Sequence, residues 1–363
     1  MSAADARALR ARFDAPAPLT VGLEEEVLLL DPDGLGLAPV AAEVVARAGG
    51  DARIKLELPA SQVELLTRPH AHVRDAIAEL AGARSALLEA AGDLARPAAA
   101  AVHPNAPGEV ELNRGERYAA LEATYGVVAR RQLVGALQVH VAVGGADRTL
   151  AVYNALRGYL PELAALAAAA PFHEDRDTGL ASVRPLIGGQ LPRQGVPPAI
   201  ASWEALAADL AWGATAGAVA DPGRWWWELR PHLVHGTLEL RVPDVQPTLE
   251  AAGGVAELAH ALVAWLAARH DAGEALGAPA TWRIAENRWS ALRGGVEGEL
   301  ADLETGRRVA TRARLLALIG ELEADCGQAL DRSRALVERN AAMSLREVGL
   351  RCAARWLADA FAG

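Results

Sequence analysis

Between Val21 and Leu30 the chain reads VGLEEEVLLL, an apolar run with glutamates planted in its middle. Such a run predicts a β-strand from Thr20 to Leu30. The two-residue period places Val21, Leu23, Val27 and Leu29 on one face and Glu24 with Glu26 on the other. Two carboxylates side by side repel each other unless a cation or an arginine sits between them. Either this is an edge strand with a solvated acidic face, or it is one wall of a site that holds cations.

The same arrangement recurs along the chain. Ile54–Leu58 and Val63–Thr67 read as short strands around Pro59-Ala60-Ser61; they carry Glu57 and Glu64, and Lys55 precedes them. In the strand predicted from Leu133 to Val143, Gln138 and His140 share a face while Val139, Val141 and Val143 share the other. A lone histidine there is commonly a satisfied core residue; beside a glutamine it points to a cavity or a ligand. Trp225–His232 and Thr237–Val242 read as a hairpin around His235-Gly236, with Glu228, Arg230 and His232 alternating on one strand and Glu239 and Arg241 on the other. A structural Glu–Arg ladder competes with a binding site as the reason for these charges.

The acids decide more together than singly. Glu24, Glu26, Glu57, Glu64 and Glu239 can all project from one sheet face, an arrangement that requires divalent cations. Carboxylate-rich, cysteine-free donor sets suit hard cations such as Mg²⁺ or Mn²⁺. Arginines among them suit phosphate oxygens through forked hydrogen bonds. Acids, metal and arginine on a sheet make a phosphoryl-transfer constellation. The chain has no Gly-Lys-Ser/Thr phosphate loop, no HExxH and no GxSxG.

Elsewhere the strands come in pairs and the helices in long blocks. Val73–Leu94, Glu116–Arg130, Leu249–His270, Thr281–Leu292, Val309–Arg334 and Leu345–Phe361 have helical periodicity, and Ala98–Val102 fits a buried strand. No βαβ alternation is visible, so the expected class is α+β, with a mainly antiparallel sheet covered by helices on one side. No linker interrupts the 363 residues, which suggests a single catalytic domain from Met1 to Gly363. Pro171–Pro198, rich in glycine and proline, is expected to be a loop closing over the site. The net charge of −10 offers no basic run to a nucleic acid. No apolar run is long enough for a membrane, and no secretion signal is visible, so a cytoplasmic location without a membrane partner is expected. Cys326 and Cys352 lack the spacing of a zinc site.

The ordered series VGLEEE, ELPASQVELLT, His103-Pro104, Glu116-Arg117-Tyr118, QVHV, DTGLASVRP (Asp177–Pro185), LRPHLVHGTLELRVPDVQPT (Leu229–Thr248) and ENRWSALRGGVEG (Glu286–Gly298) resembles the type 2 glutamate–cysteine ligase, or carboxylate–amine ligase, family. The resemblance implies a glutamine synthetase-like core, a curved antiparallel sheet whose concave face takes ATP and Mg²⁺ (or Mn²⁺). It implies metal ligation by Glu24, Glu26, Glu57, Glu64 and Glu239, with His140 a further ligand or phosphate contact. Arg241 and Arg184 would bind phosphates or the substrate carboxylate, and Lys55, Arg230, Arg241 and Gln138 would contact the nucleotide. The implied reaction joins a small-molecule carboxylate to an amine through an acyl phosphate, with glutamate and cysteine as the family default. Many relatives read His-Val-His where this chain has Gln138-Val139-His140. A metal-dependent amide or phosphoester hydrolase and a catalytically silent nucleotide-binding protein are the competing readings. A homodimer is the base-rate expectation for assembly.

Overall fold

In a computed structural model describing residues 5–217 and 225–363, β1 (Val21–Leu30) is the axis of a seven-stranded sheet. The other members are β2 (Ile54–Leu56), β3 (Gln62–Leu66), β4 (Arg96–Ala98), β5 (Leu137–Val141), β8 (Leu229–His232) and β9 (Thr237–Leu240). β6 (Phe172–His173) pairs with β7 (Arg176–Asp177), and β10 (Glu299–Ala301) with β11 (Arg308–Ala310), in two small separate hairpins. The main sheet runs β2-β3-β1-β5-β9-β8, and every pairing in it is antiparallel. β4 takes the stretch of β1's edge that β5 leaves open, opposite Leu28–Leu30.

Alternation along β1 sorts its side chains as the period predicts. Val21, Leu23, Val27 and Leu29 join the main core with the helices Val73–Ala91, Ala146–Leu156 and Leu249–Asp271. Glu25 falls on this apolar face and is fully buried. Arg84 meets it with a forked pair of bonds, 2.5 and 2.8 Å, and also donates to the carbonyls of Gln246 and Pro247. A buried charge is tolerated only when its partner and remaining hydrogen bonds are this complete. The helix Leu249–Asp271 is long and apolar enough to cross a membrane by length and composition, but it is mostly buried against neighbouring helices and β5. That is the setting of a core helix.

The opposite face is divided. Its far end, Leu28 and Leu30, is covered by Ala98, Ala100 and the C-terminal helix Leu350–Ala362. Its near end carries the acids.

Several boundaries differ from the sequence expectation. The strand expected at Ala98–Val102 lies at Arg96–Ala98, where Pro97 is accommodated because β4 pairs with β1 alone. Beyond it the Ala100 amide turns back to the Ala98 carbonyl, taking the chain off the ladder. The block Val309–Arg334 is two helices, Thr311–Cys326 and Asp331–Glu338, and Leu345–Phe361 extends into two, Ala341–Val348 and Leu350–Ala362. Gly327 and Gly349, at φ +67° and +80°, make these breaks in a backbone region other residues enter at a cost. Glu116–Arg130 likewise divides after Tyr125. Pro171–Pro198 is not one open loop, for it contains the β6–β7 hairpin and the short helix Arg184–Gly188.

Candidate active site

On the open face the sheet register builds rungs of polar side chains. Lys55 of β2 stands opposite Glu64 of β3, and Glu64 opposite Glu26 of β1. Glu24 stands opposite Gln138 of β5. Gly22 faces His140, His140 faces Glu239 of β9, and Glu239 faces Arg230 of β8. Glu57 follows β2 directly and bonds the Leu58 amide at 2.5 Å. The five glutamates expected to congregate therefore do so, in two trios: Glu24, His140 and Glu239, and Glu26, Glu57 and Glu64. Within each trio the potential ligand atoms lie within 4.8 Å of one another.

The first trio is charge-compensated. Glu239 accepts from Arg230 at 2.6 and 3.1 Å and from Arg241 at 2.5 Å. Burial pushes its carboxyl up, but Arg241, His140 and Arg230 together hold it well below the usual carboxylate range. Glu24 is also brought down, against burial, by His140. Burial opposes protonation of His140, yet Glu239 and Glu24 raise its basicity overall. Its Nδ1 lies 3.0 Å from Thr237 Oγ1. Its Nε2, buried and 3.3 Å from Glu24 Oε1, lacks the alignment of a hydrogen bond and has no other partner. His232 and His235 stack on each other at 4.4 Å and meet the His140 ring edge-on at 5.2 and 5.8 Å. Burial pushes His232 down to about 4.

The second trio is not compensated. Glu26 accepts from the Ala136 amide at 2.8 Å and from Gln138 Nε2 at 2.9 Å, yet burial and the Glu57 charge lift it to about 7. Burial also raises Glu57, and burial with the charges of Glu57, Glu24 and Glu26 raises Glu64 far above its ordinary value. Three carboxylates this close, Glu26 buried and Glu57 and Glu64 half-buried, cannot all ionise at neutral pH unless a cation neutralises them. An all-oxygen set of this kind fits Mg²⁺ or Mn²⁺, and the neighbouring trio of Glu24, His140 and Glu239 could hold a second cation.

Gln138 joins the two trios, donating to Glu26 while its Oε1 accepts from Arg241 at 2.5 Å. Gln138 is thus an amide that cross-links the site. Lys55 is exposed at the edge of the sheet. Arg184 sits differently from the anion contact expected of it. Its Nε donates to Asp244 at 2.6 Å and its Nη2 to the Arg241 and Val242 carbonyls, so it braces the backbone that presents Arg241. Glu228 leaves the face altogether and takes a forked bond from Arg288, at 2.8 Å on both oxygens. The cross-strand Glu–Arg ladder therefore forms between Arg230 of β8 and Glu239 of β9, inside the site, while Glu228 pairs with a residue of the helix Thr281–Gly294 instead.

Beside the second trio opens a cavity of about 410 Å³. Glu26, Glu57, Arg230 and Arg241 form its polar end, and Gln62, Arg117, Tyr125, Gln132 and Trp226 line the rest. Sequence reasoning singled out none of these five as site residues. Two signals were present: Gln62 shares a strand face with Glu64, and Arg117 lies in the motif Glu116-Arg117-Tyr118. Tyr125, Gln132 and Trp226 come from a helix, a loop and a loop, where no periodicity betrays direction.

Known proteins resemble this chain in sequence and in fold. A family profile described as glutamate-cysteine ligase family 2 matches residues 20–361. A protein of Rubrobacter xylanophilus, provisionally named glutamate–cysteine ligase 2-3, is 36% identical over 372 residues, covering 98% of this chain and 100% of its own. A Thermobifida fusca protein provisionally named glutamate–cysteine ligase 2 is 32% identical, over 85% of this chain and 80% of its own. Among solved structures, the glutamate–cysteine ligase of Francisella tularensis in complex with AMP superposes with a TM-score of 0.71 at 15% identity, over 94% of this chain and 87% of that one. A bifunctional glutathione synthetase from Pasteurella multocida gives 0.65 at 15% identity, over 98% of this chain and 53% of that one. These two structural likenesses concern the fold.

Proposed function

Because the chain belongs to glutamate–cysteine ligase family 2, we propose that it is an ATP-dependent carboxylate–amine ligase that forms an amide bond through an acyl phosphate and releases ADP and phosphate. The observation that carries this reading is the pair of acidic trios bridged by Gln138 and Arg241 on an open sheet face. A carboxylate is a poor electrophile. In the first step its oxygen attacks the γ-phosphorus of ATP, the bond to the β-phosphate oxygen breaks, and ADP leaves. In the second, the amine nitrogen bonds the acyl carbon, the carbon–oxygen bond to phosphate breaks, and the amine's proton is lost to solvent or phosphate.

Glu26, Glu57 and Glu64 would hold one divalent cation, and Glu24, His140 and Glu239 another; bound there, the cations supply charge neutralisation for the transferring phosphoryl group. Arg241, buried where the trios meet, contributes a fixed positive charge at the same place. Arg230 and Arg241 keep Glu239 ionised, which preserves its capacity as a ligand. The small-molecule substrates would meet in the adjoining cavity, screened from water that would otherwise hydrolyse the acyl phosphate. Glutamate and cysteine are the pair suggested by the relatives' names.

The decisive experiment is an acid-by-amine panel with ATP and Mg²⁺, scored for ADP and for product mass. ADP formation that requires both an acid and an amine supports the ligase. Hydrolysis of an amide or phosphoester without ATP would overturn it in favour of the hydrolase.

A further inference from the structure

The cavity beside the second trio has a chemistry of its own. Resting on the ligase reading, we infer that it binds the nucleophilic substrate, and that this substrate is a primary amine bearing an aromatic ring rather than cysteine.

Three observations converge. First, the far wall is apolar and aromatic: Leu58, Leu121, Val134 and Leu191 accompany Tyr125 and Trp226. The two aromatic rings stand edge-to-face at 5.5 Å. Arg193, in a left-handed backbone conformation at φ +60°, lies 5.8 Å over the Trp226 ring and donates to the Tyr125 hydroxyl at 3.2 Å. Tied to a second segment through Arg193, these two rings give the cavity an aromatic wall against which a flat apolar group can pack. The methylene and thiol of cysteine are too small to cover that apolar wall, and an unfilled apolar wall contributes no affinity.

Second, two buried glutamines line the same cavity, and among the described residues Gln132 spends both amide hydrogens and Gln62 one of its two on backbone carbonyls. Gln62 Nε2 donates to the Val134 carbonyl at 2.8 Å, and Gln132 Nε2 to the Val128 and Ile187 carbonyls at 3.1 and 3.3 Å. Gln62 is 1% and Gln132 6% exposed. Gln132 thus offers a ligand its carbonyl oxygen, a hydrogen-bond acceptor, and Gln62 offers a carbonyl oxygen beside one remaining N–H.

Third, among the described residues the carboxylates lining the cavity are Glu26 and Glu57, both members of the acidic trio. An amine must shed its extra proton before it can attack. Neutral amide oxygens orient an N–H without stabilising the ammonium form, whereas a dedicated carboxylate would raise the amine's pKa and hold it protonated. The glutamines therefore suit a nucleophile.

Aromatic amino acids and arylalkylamines share this chemistry, and Arg117 separates them, because only the former carry a carboxylate for its guanidinium. The test uses the full-length protein with Mg²⁺ and a non-hydrolysable ATP analogue, and measures binding of phenylalanine, phenethylamine and cysteine by calorimetry. Phenylalanine or phenethylamine should bind at least ten-fold more tightly than cysteine, and Trp226→Ala and Tyr125→Ala should each erase that preference. Gln132→Leu should weaken the aromatic amine several-fold. Tight binding of phenylalanine lost in Arg117→Ala identifies the amino acid; phenethylamine binding as well as phenylalanine identifies the simple amine. Cysteine binding as tightly as both aromatic ligands, or a preference surviving in both aromatic-wall variants that retain the native melting profile, overturns the inference. The acid-by-amine panel reads the ligase chemistry independently: aromatic-amine binding without ADP release from any pair would sink the ligase reading and leave the cavity assignment standing.

Discussion

At Glu24 and Glu25, adjacent residues of identical chemistry have opposite fates because a strand turns them to opposite faces. Glu25 is locked to Arg84 inside the apolar core. Arg84→Met is expected to leave that carboxylate buried and uncompensated, destabilising the fold by about 3–5 kcal/mol, which urea unfolding would read. Glu24→Gln, on the open face, should leave the urea midpoint nearly unchanged and lower ADP formation by roughly two orders of magnitude; Glu239→Gln should lose a similar factor in ADP formation. Normal phosphate release in either variant would refute the assignment of the first trio. Arg241→Lys tests the same junction: Nη1 alone donates to Gln138 and Glu239, leaving the rest of the guanidinium for a phosphate, and a shorter lysine keeps the charge without that planar surface, so turnover should fall.

At the scale of elements, the site depends on how β4 and β5 share one edge of β1. Glu26 lies between the two pairings, and its carboxylate accepts from the Ala136 amide. Gly135 allows that close approach, since a methyl group there would sit 2.7 Å from the Ala100 carbonyl and 3.2 Å from that of Glu26. Gly135→Ala is expected to cost about 1–3 kcal/mol through overpacking, and to weaken Mg²⁺ binding by displacing Glu26. Calorimetric titration of Mg²⁺ beside an unfolding curve checks both. Unchanged metal affinity would show that the second trio does not rely on this junction.

The whole molecule carries an electrostatic load that should be visible in its stability. Burial and mutual repulsion raise Glu26 to about 7 and also raise Glu57 and Glu64. A carboxyl with a raised folded-state pKa binds its proton more tightly folded than unfolded, so its favourable contribution is complete at low pH and lost as pH rises through the folded value. Glu239 and Glu24 act in the opposite sense, their contribution being lost only as pH falls through and below the ordinary carboxylate range. Metal-free protein should therefore lose thermal stability between about pH 5 and 8. Mg²⁺ should restore it, most strongly at the alkaline end, with about 2.7 kcal/mol gained at a hundred-fold excess over its dissociation constant. Melting curves across pH with and without Mg²⁺ decide the matter; a Mg²⁺ effect that vanished at pH 8 would count against cation binding by these carboxylates.

Period-two alternation was sufficient to orient Glu24, Glu26, Gln138, His140, Glu239 and Arg241 without coordinates, because a strand leaves a side chain only two directions. It also foretold an antiparallel sheet and the congregation of its acids. Which acids share a trio was decided by register, a long-range property set by backbone pairing between segments far apart in the chain. The same holds for Glu228, whose partner Arg288 lies 60 residues on, and for Arg184, whose donors go to a carboxylate and carbonyls that local pattern cannot reveal. The cavity belongs to tertiary structure most completely. Tyr125, Gln132 and Trp226 sit at a helix end and in loops, where no period fixes direction, and only the packing of those segments over the sheet brings their side chains to one wall.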